Sequence, residues 1–169
     1  MKLVKCTISD AQEIINIGKE TFQTAFGHQN NPVDVAEYLG RSFDPEKISN
    51  ELASEDISYY LAKIGNEAIG YIKLKKGFAQ NEFQNEGGIE LERLYVHAKT
   101  QGKGFGSILL NRAIAISKEA GFPFIWLGVW EKNIDAIRFY KRHGFERIGE
   151  HQFLLGKDLQ TDWLMKLHL

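Results

Sequence analysis

The sequence predicts an α/β domain whose sheet mixes parallel and antiparallel strands, and three observations carry that expectation. After residue 88 the chain reads strand, helix, strand, helix, strand. Before it, two apolar, β-branched runs meet at Gly65-Asn66, where both residues tolerate positive φ, which predicts an antiparallel hairpin. At 169 residues, with 43% hydrophobic and 12% aromatic side chains, the chain can bury one continuous core. No linker, repeat or low-complexity segment divides it, so residues 1–169 are expected to form a single domain.

Met1 to Thr7 reads as a short strand, and Ser9 is the expected N-cap of a helix with Ala11, Ile14, Ile15 and Phe22 on one face. Residues 27–32 break that helix. Val33 to Leu39 and Pro45 to Ala53 read as two short helices, the second started by Pro45 after Asp44. Ile57 to Ile64 and Ala68 to Leu74 are the hairpin strands. Lys75 to Gly88 has no period and is expected to be an extended connection with a mobile tip, carrying Glu82 and Glu86.

Ile89 to Val96 reads as a strand. Gly104 to Ala120 reads as a helix, with Phe105, Ile108, Leu109 and Ile116 near one face and Gly121 as its stop. Phe124 to Trp130 is a further strand, in which Trp126 and Trp130 share a face with Gly128 between them. Core packing is the default role of these tryptophans and the wall of a substrate channel the alternative, since aromatic faces attract ammonium groups. Asn133 caps a helix running to His143, and strands near Phe145 to Leu154 and Thr161 to Leu167 close the chain.

Lys and Arg total 21 against 22 Asp and Glu, so no global field gathers nucleic acid or an anionic membrane. The single cysteine, Cys6, excludes an internal disulfide and reads as a buried strand thiol. With neither a signal-peptide pattern nor a long apolar stretch, the expectation is a soluble, cytoplasmic protein. Self-association is left open. His28, His97, His143, His151 and His168 are scattered without a nucleophile elbow or metal-ligand spacing, so no metal is expected. His97 and His143 read as surface or cap residues at element ends.

Gln101-Gly102-Lys103-Gly104-Phe105-Gly106 directly precedes a helix, so backbone N–H groups and the positive helix end can receive phosphate oxygens without obstruction. A glycine-rich turn serving only close packing is the competing reading. A phosphate-loop NTPase motif is excluded, because Lys103 is followed by Gly104 and not by Ser or Thr. The dinucleotide fingerprint fits poorly: the spacing is Gly102, Gly104, Gly106, and no acidic ribose partner stands about 20 residues on.

Gln101-x-x-Gly104-x-Gly106 resembles the coenzyme A loop of the GCN5-related N-acetyltransferases. Leu94-Tyr95-Val96 before it and Asn133-x-x-Ala136-x-x-Phe139-Tyr140-x-x-x-Gly144-Phe145 after it are similar to that family's flanking segments, so the likeness covers residues 89–145. The resemblance implies a mixed, largely antiparallel sheet flanked by helices, with the strands ending near Val96 and Trp130 splayed apart around pantetheine. It also implies that Leu94 and Val96 backbone pairs with pantetheine, that residues 101–106 and the adjoining Ser107 hold the pyrophosphate, and that Asn133 and Tyr140 contact acetyl-coenzyme A. Backbone N–H near Leu94 or Tyr95 would then polarise the acetyl carbonyl.

Acetyl transfer needs a neutral amine, yet alkyl ammonium groups titrate near about 10.4, so some group or water chain must take a proton. Glu90 and Glu92 lie two apart on the strand before the loop and share a sheet face, where they can order that water or attract the cation; an ion-paired face is the competing reading. A departing thiolate leaves more easily with a hydroxyl nearby, and Tyr140 stands where family members often place such a tyrosine. Transfer is expected to be direct, without a covalent enzyme intermediate.

The longer pattern Trp126-Leu127-Gly128-Val129-Trp130-Glu131-x-Asn133, with Gly149-x-His151-x-Phe153, Gly156-x-Asp158-x-Gln160-x-Asp162 and Thr21-Phe22 to Phe26, resembles the PaiA-type spermine/spermidine acetyltransferases. A polyamine needs carboxylates along a channel, and Asp34, Glu37, Glu82, Glu86, Glu90, Glu92 and Glu131 are available, unless they are ordinary surface charge. Acetylation of a protein N-terminus, as in ribosomal-protein acetyltransferases, would instead call for an open groove. An acetyl-coenzyme A sensor without catalysis is the expectation of a different class.

Overall fold

A computed structural model describes residues 1–169. After β1 (Lys2–Lys5), the Thr7 amide donates to Asp10 Oδ2 at 2.8 Å, and a short 3-10 turn, Ile8–Asp10, leads into α1 (Ala11–Phe26). The capping contacts fall on Thr7 and not on the expected Ser9, because Asp10 three residues on completes a reciprocal box with Thr7. α2 (Pro32–Ser42) and α3 (Pro45–Ala53) each begin with proline; Asn31 accepts from the Val33 amide at 2.9 Å and Asp44 from the Lys47 amide at 3.0 Å.

The remaining elements are β2 (Ile57–Ile64), β3 (Glu67–Lys76), β4 (Ile89–Val96), α4 (Phe105–Glu119), β5 (Phe124–Trp130), α5 (Ile134–Arg142), β6 (Glu146–Leu155) and β7 (Asp158–His168). The seven strands form one sheet in the order β1-β2-β3-β4-β5-β7-β6. Only β4 and β5 run parallel, which gives the mixed, largely antiparallel sheet the resemblance implied. One face carries α1–α3 over a core that includes Ile14, Phe43, Tyr59 and Tyr71; the other carries α4 and α5 over Leu91, Leu109, Ile125 and Ile137. Cys6 lies just past the end of β1, buried in the first of these cores, where burial pushes its thiol up to about 12.

Two irregularities in β4 position everything that follows. The parallel pairing consists of Ile89 with Ile125 and Glu90 with Trp126, after which the two strands diverge, while β5 stays paired with β7 along its length. On the other edge, Leu91 faces Leu74 and Arg93 faces Lys73, leaving Glu92 as an extra residue without a partner on β3. That bulge breaks the alternation. Glu92 and Arg93 therefore both turn toward the α1–α3 face, Glu92 onto Lys73 and Arg93 over the Phe43 ring at 4.4 Å.

The β3–β4 connection is less extended than its polar composition suggested and is held to the sheet at Gln80 and Phe83. It starts in a 3-10 turn, Gly77–Ala79, and crosses toward β5, where Gln80, 2% exposed, accepts from Trp126 Nε1 at 2.6 Å. Phe83 packs against the Trp126 ring at 5.2 Å, so a buried aromatic anchor fixes a stretch without sequence periodicity.

Candidate active site

The glycine loop leaves β4 through a 3-10 turn, Ala98–Thr100, and the Gln101 side chain reaches back to the Val96 carbonyl at 3.2 Å. Gly102 and Gly104 have φ of 74° and 80°, and no neighbouring atom stands within 4 Å of where a Cβ would lie on either. These are the conditions an anion cradle requires: a backbone only glycine holds without strain, and room above it. Gly104 is the N-cap of α4, and the Ile108 amide is the first paired within the helix, at 3.1 Å from the Gly104 carbonyl. The amides of Phe105, Gly106 and Ser107 therefore lie in the unpaired first turn. Gly106 lies beside the Phe139 ring of α5, and Lys103 is exposed.

Where β4 and β5 part, a cavity of about 200 Å³ passes through the sheet. Leu94, Tyr95, Asn133 and Tyr140 line it together with Glu90, Glu92, Gly128, Trp130, His151 and Asp162. The cavity thus joins residues expected to meet the cofactor with those expected to handle the amine. Val96, the last residue of β4, and Gln101–Ser107 beyond it do not line the cavity. Asn133 spends its side-chain oxygen on the Ala136 amide at 3.2 Å, which caps α5. Tyr140 packs on Phe139 and Phe145, and burial pushes its phenol above the ordinary value, so it stays protonated. Trp130 lines the cavity, while Trp126 is fully buried in a small cluster with Phe124 and Leu164, so the two tryptophans divide between the alternatives.

Glu90 and Glu92 lie on one face, as their spacing requires, in opposite electrostatic states. Glu90 is 3% exposed, has one lysine ammonium at 3.8 Å, and accepts from the Asn81 amide and side-chain nitrogen at 3.3 Å each. Burial outweighs these contacts and raises it to about 7. Burial acts on Glu92 in the same sense, but Lys73 at 2.8 Å, Lys75 at 3.0 Å and Arg93 hold it well below the usual carboxylate range. Lys73, 1% exposed, also pairs with Glu51 of α3 at 2.9 Å, and Glu51 accepts from the Tyr59 hydroxyl.

The sequence reading gave no site role to Arg93, and named His151 and Asp162 only within longer patterns. Arg93 needed the bulge to reach this face. His151 and Asp162 meet as cross-strand neighbours of β6 and β7, a pairing no local pattern specifies. The lysines did leave a signal: Lys73-Leu74-Lys75 and Glu90-Leu91-Glu92 are complementary alternations on two neighbouring apolar strands. His97 and His143 sit at element ends, His97 3.0 Å from Glu20 and His143 as the C-cap of α5 with Nδ1 2.8 Å from the Phe139 carbonyl.

A model of the acetyltransferase (GNAT) family matches residues 15–145. An uncharacterized N-acetyltransferase in the pepI 3' region of Lactobacillus delbrueckii subsp. lactis is 39% identical over 98% of this chain and 96% of its own. The spermine/spermidine N(1)-acetyltransferase of Bacillus subtilis is 35% identical, over 43% of this chain and 49% of its own. In fold, the chain is similar to the PaiA N-acetyltransferase of Thermoplasma acidophilum, whose crystal structure is a complex with coenzyme A, with a TM-score of 0.82 over all of both chains at 23% identity. With the splayed parallel pair and the cavity where its strands part, these likenesses assign the chain: it belongs to the acetyltransferase (GNAT) family and is an acetyl-coenzyme A-dependent N-acetyltransferase.

Proposed function

We propose that the protein transfers the acetyl group of acetyl-coenzyme A directly to a primary amine of a polyamine such as spermidine or spermine. The observation that carries this reading is Glu90: a buried carboxyl on the cavity wall, raised to about 7 by burial, in the range a proton acceptor needs at neutral pH. Acetyl-coenzyme A supplies the activated acyl group, and the residues positioned to hold it are those of the cradle, 101–107, with Leu94, Tyr95, Val96 and Asn133. Glu90, in this reading, attracts the acceptor ammonium and takes its proton, directly or through one water. The phenol of Tyr140 donates a hydrogen bond to the departing sulfur, and backbone N–H at Leu94 or Tyr95 supports the carbonyl oxygen. Glu92 holds Lys73 and Lys75 in place beneath the site and has no free proton-accepting role.

The polyamine assignment is supported by the acids of the acceptor end, Glu90, Asp162 and nearby Glu82, and by the aromatic lining of Phe26, Tyr38, Trp130 and Phe153. The Bacillus relative's name points the same way. Acetylation of a protein N-terminus calls for an open groove, whereas α1, α2 and the β6–β7 hairpin all contribute side chains to this cavity. A sensor without catalysis leaves the states of Glu90 and Tyr140 without purpose. The test is a thiol-release assay with spermidine, spermine, amino acids and peptides. Turnover is expected with the polyamines; tight coenzyme A binding without turnover of any amine would contradict the enzyme reading, and preference for peptides would contradict the acceptor.

A further inference from the structure

The cavity wall opposite Glu90 carries a group the reaction above leaves unused. His151 on β6 faces Asp162 directly across on β7, and its ring lies between two carboxylates. Nδ1 is 3.2 Å from Glu82 Oε1, and Nε2 is 3.8 Å from Asp162 Oδ2. Gly128 on β5 lies against the pair: a Cβ there would stand in ordinary contact, 3.4 Å from His151 Nε2 and 3.5 Å from Asp162 Oδ2. The two walls are tied by consecutive residues of the β3–β4 connection, since Asn81 bonds Glu90 and Glu82 bonds His151.

The register separates the two walls. Glu90 pairs with Trp126, and Gly128 lies two residues further along β5. That is past the point where β4 and β5 part, so the His151 seat is set apart from Glu90 along the cavity. Two ammonium nitrogens on a short methylene chain can span that gap, one at Glu90 and one at His151.

We propose that Glu82, His151 and Asp162 form the seat for the second ammonium of the acceptor, and that His151 releases its proton to solvent as that ammonium binds, so selecting acceptors with two cationic centres. This rests on the reading of the cavity as an amine-acetylating site. One cation replaces another between the same carboxylates, so the exchange leaves no buried charge uncompensated. A monoamine engages Glu90 alone.

The Asp162 carboxylate first, and then the Glu82 carboxylate at Nδ1, raise His151 above its ordinary value although partial burial opposes this. The carboxylates thus favour the imidazolium, the form a second cation would replace. The groups facing the ring are Glu82 from the β3–β4 connection and Asp162 from β7; β5 offers only Gly128. Across the cavity stand Glu90 and Arg93, the latter countered by Glu92 at 3.8 Å. Raising pH removes the competing proton and tightens diamine binding. Ionisation of Glu90 acts on monoamines and diamines alike, so the ratio of their KM values isolates His151.

The experiment measures KM for butylamine and 1,4-diaminobutane between pH 6 and 8 in wild type, Glu82→Gln, Asp162→Asn and His151→Gln, with coenzyme A affinity as the check of folding. The butylamine-to-diamine KM ratio is expected to rise with pH in wild type, to fall about tenfold in Asp162→Asn, the loss of roughly one charge contact, and to become flat with pH in His151→Gln. Glu82 is a partly exposed loop residue whose substitution leaves the strands intact, so a lowered ratio there separates lost recognition from misfolding. A wild-type ratio independent of pH, or ratios in Glu82→Gln and Asp162→Asn equal to wild type, would overturn the proposal while amine acetylation stands. A wild type that acetylates neither amine would overturn the acceptor reading beneath it.

Discussion

The two ends of the bulged segment of β4 hold the same functional group in contrasting surroundings. At Glu90 the carboxyl is enclosed with a single lysine 3.8 Å away; at Glu92 it meets two lysine ammonium groups within 3.0 Å. Desolvation wins at the first and Coulomb attraction at the second. The contrast teaches that spacing alone places two acids on one face, while the count of cations around each decides its work. Environments that push neighbouring carboxyls apart in pKa divide their roles between proton transfer and electrostatic support.

The sharpest way to break the contrast is to remove the cation that Glu92 shares with Glu51. Lys73→Met removes a buried ammonium from between two partly buried carboxylates, and a loss of about 2–4 kcal/mol is expected in denaturant unfolding. A loss under about 1 kcal/mol would mean that Lys75 and Arg93 suffice. The linkage at Glu90 has the opposite sign. Its folded value of about 7 lies above the unfolded value, so the stability tied to its proton is present at acid pH and declines as pH rises from about 4 to 7. Glu90→Gln should therefore lose that slope and gain stability over wild type, by about 1–3 kcal/mol, at pH 8 relative to pH 4. Identical pH slopes in the two proteins would place Glu90 in water.

Two smaller effects separate the cofactor end from this charge pair. Tyr140→Phe is expected to lower kcat about tenfold or more with coenzyme A affinity retained; an unchanged rate would remove Tyr140 as the donor. Gly104→Val should weaken coenzyme A binding, because the side chain enters the open space above the loop at a φ of 80° that valine does not tolerate. Normal affinity there would remove the cradle.

How much of this is legible in the sequence depends on whether the signal is local. The glycine loop, the Asn133 cap and the strand–helix alternation are written in consecutive residues, so the glycine-lined start of α4, the α5 helix and the mixed sheet follow from them. The bulge at Glu92 is one residue of register, invisible in an alternating run until β3 is laid beside it. The path of residues 77–88 depends on Trp126, a partner distant in the chain, and the His151–Asp162 pair depends on hairpin register. Lys73 and Lys75 stand between the two cases, since their alternation matches that of Glu90 and Glu92 once the strands are known to be neighbours.

The central claim, that Glu90 takes the proton while Glu92 holds the charge network, is tested most directly by the pH dependence of kcat/KM for butylamine in wild type and Glu90→Gln. The amine's own ionisation is common to both and cancels in their ratio. The wild-type-to-variant ratio should climb through an inflection near pH 7, where Glu90 ionises, toward 100-fold or more, the usual scale of a lost general base, about 2.7 kcal/mol. A ratio that stays flat from pH 5.5 to 8.5 would contradict it, and would return the proton to Glu92 or to a water chain that needs neither acid.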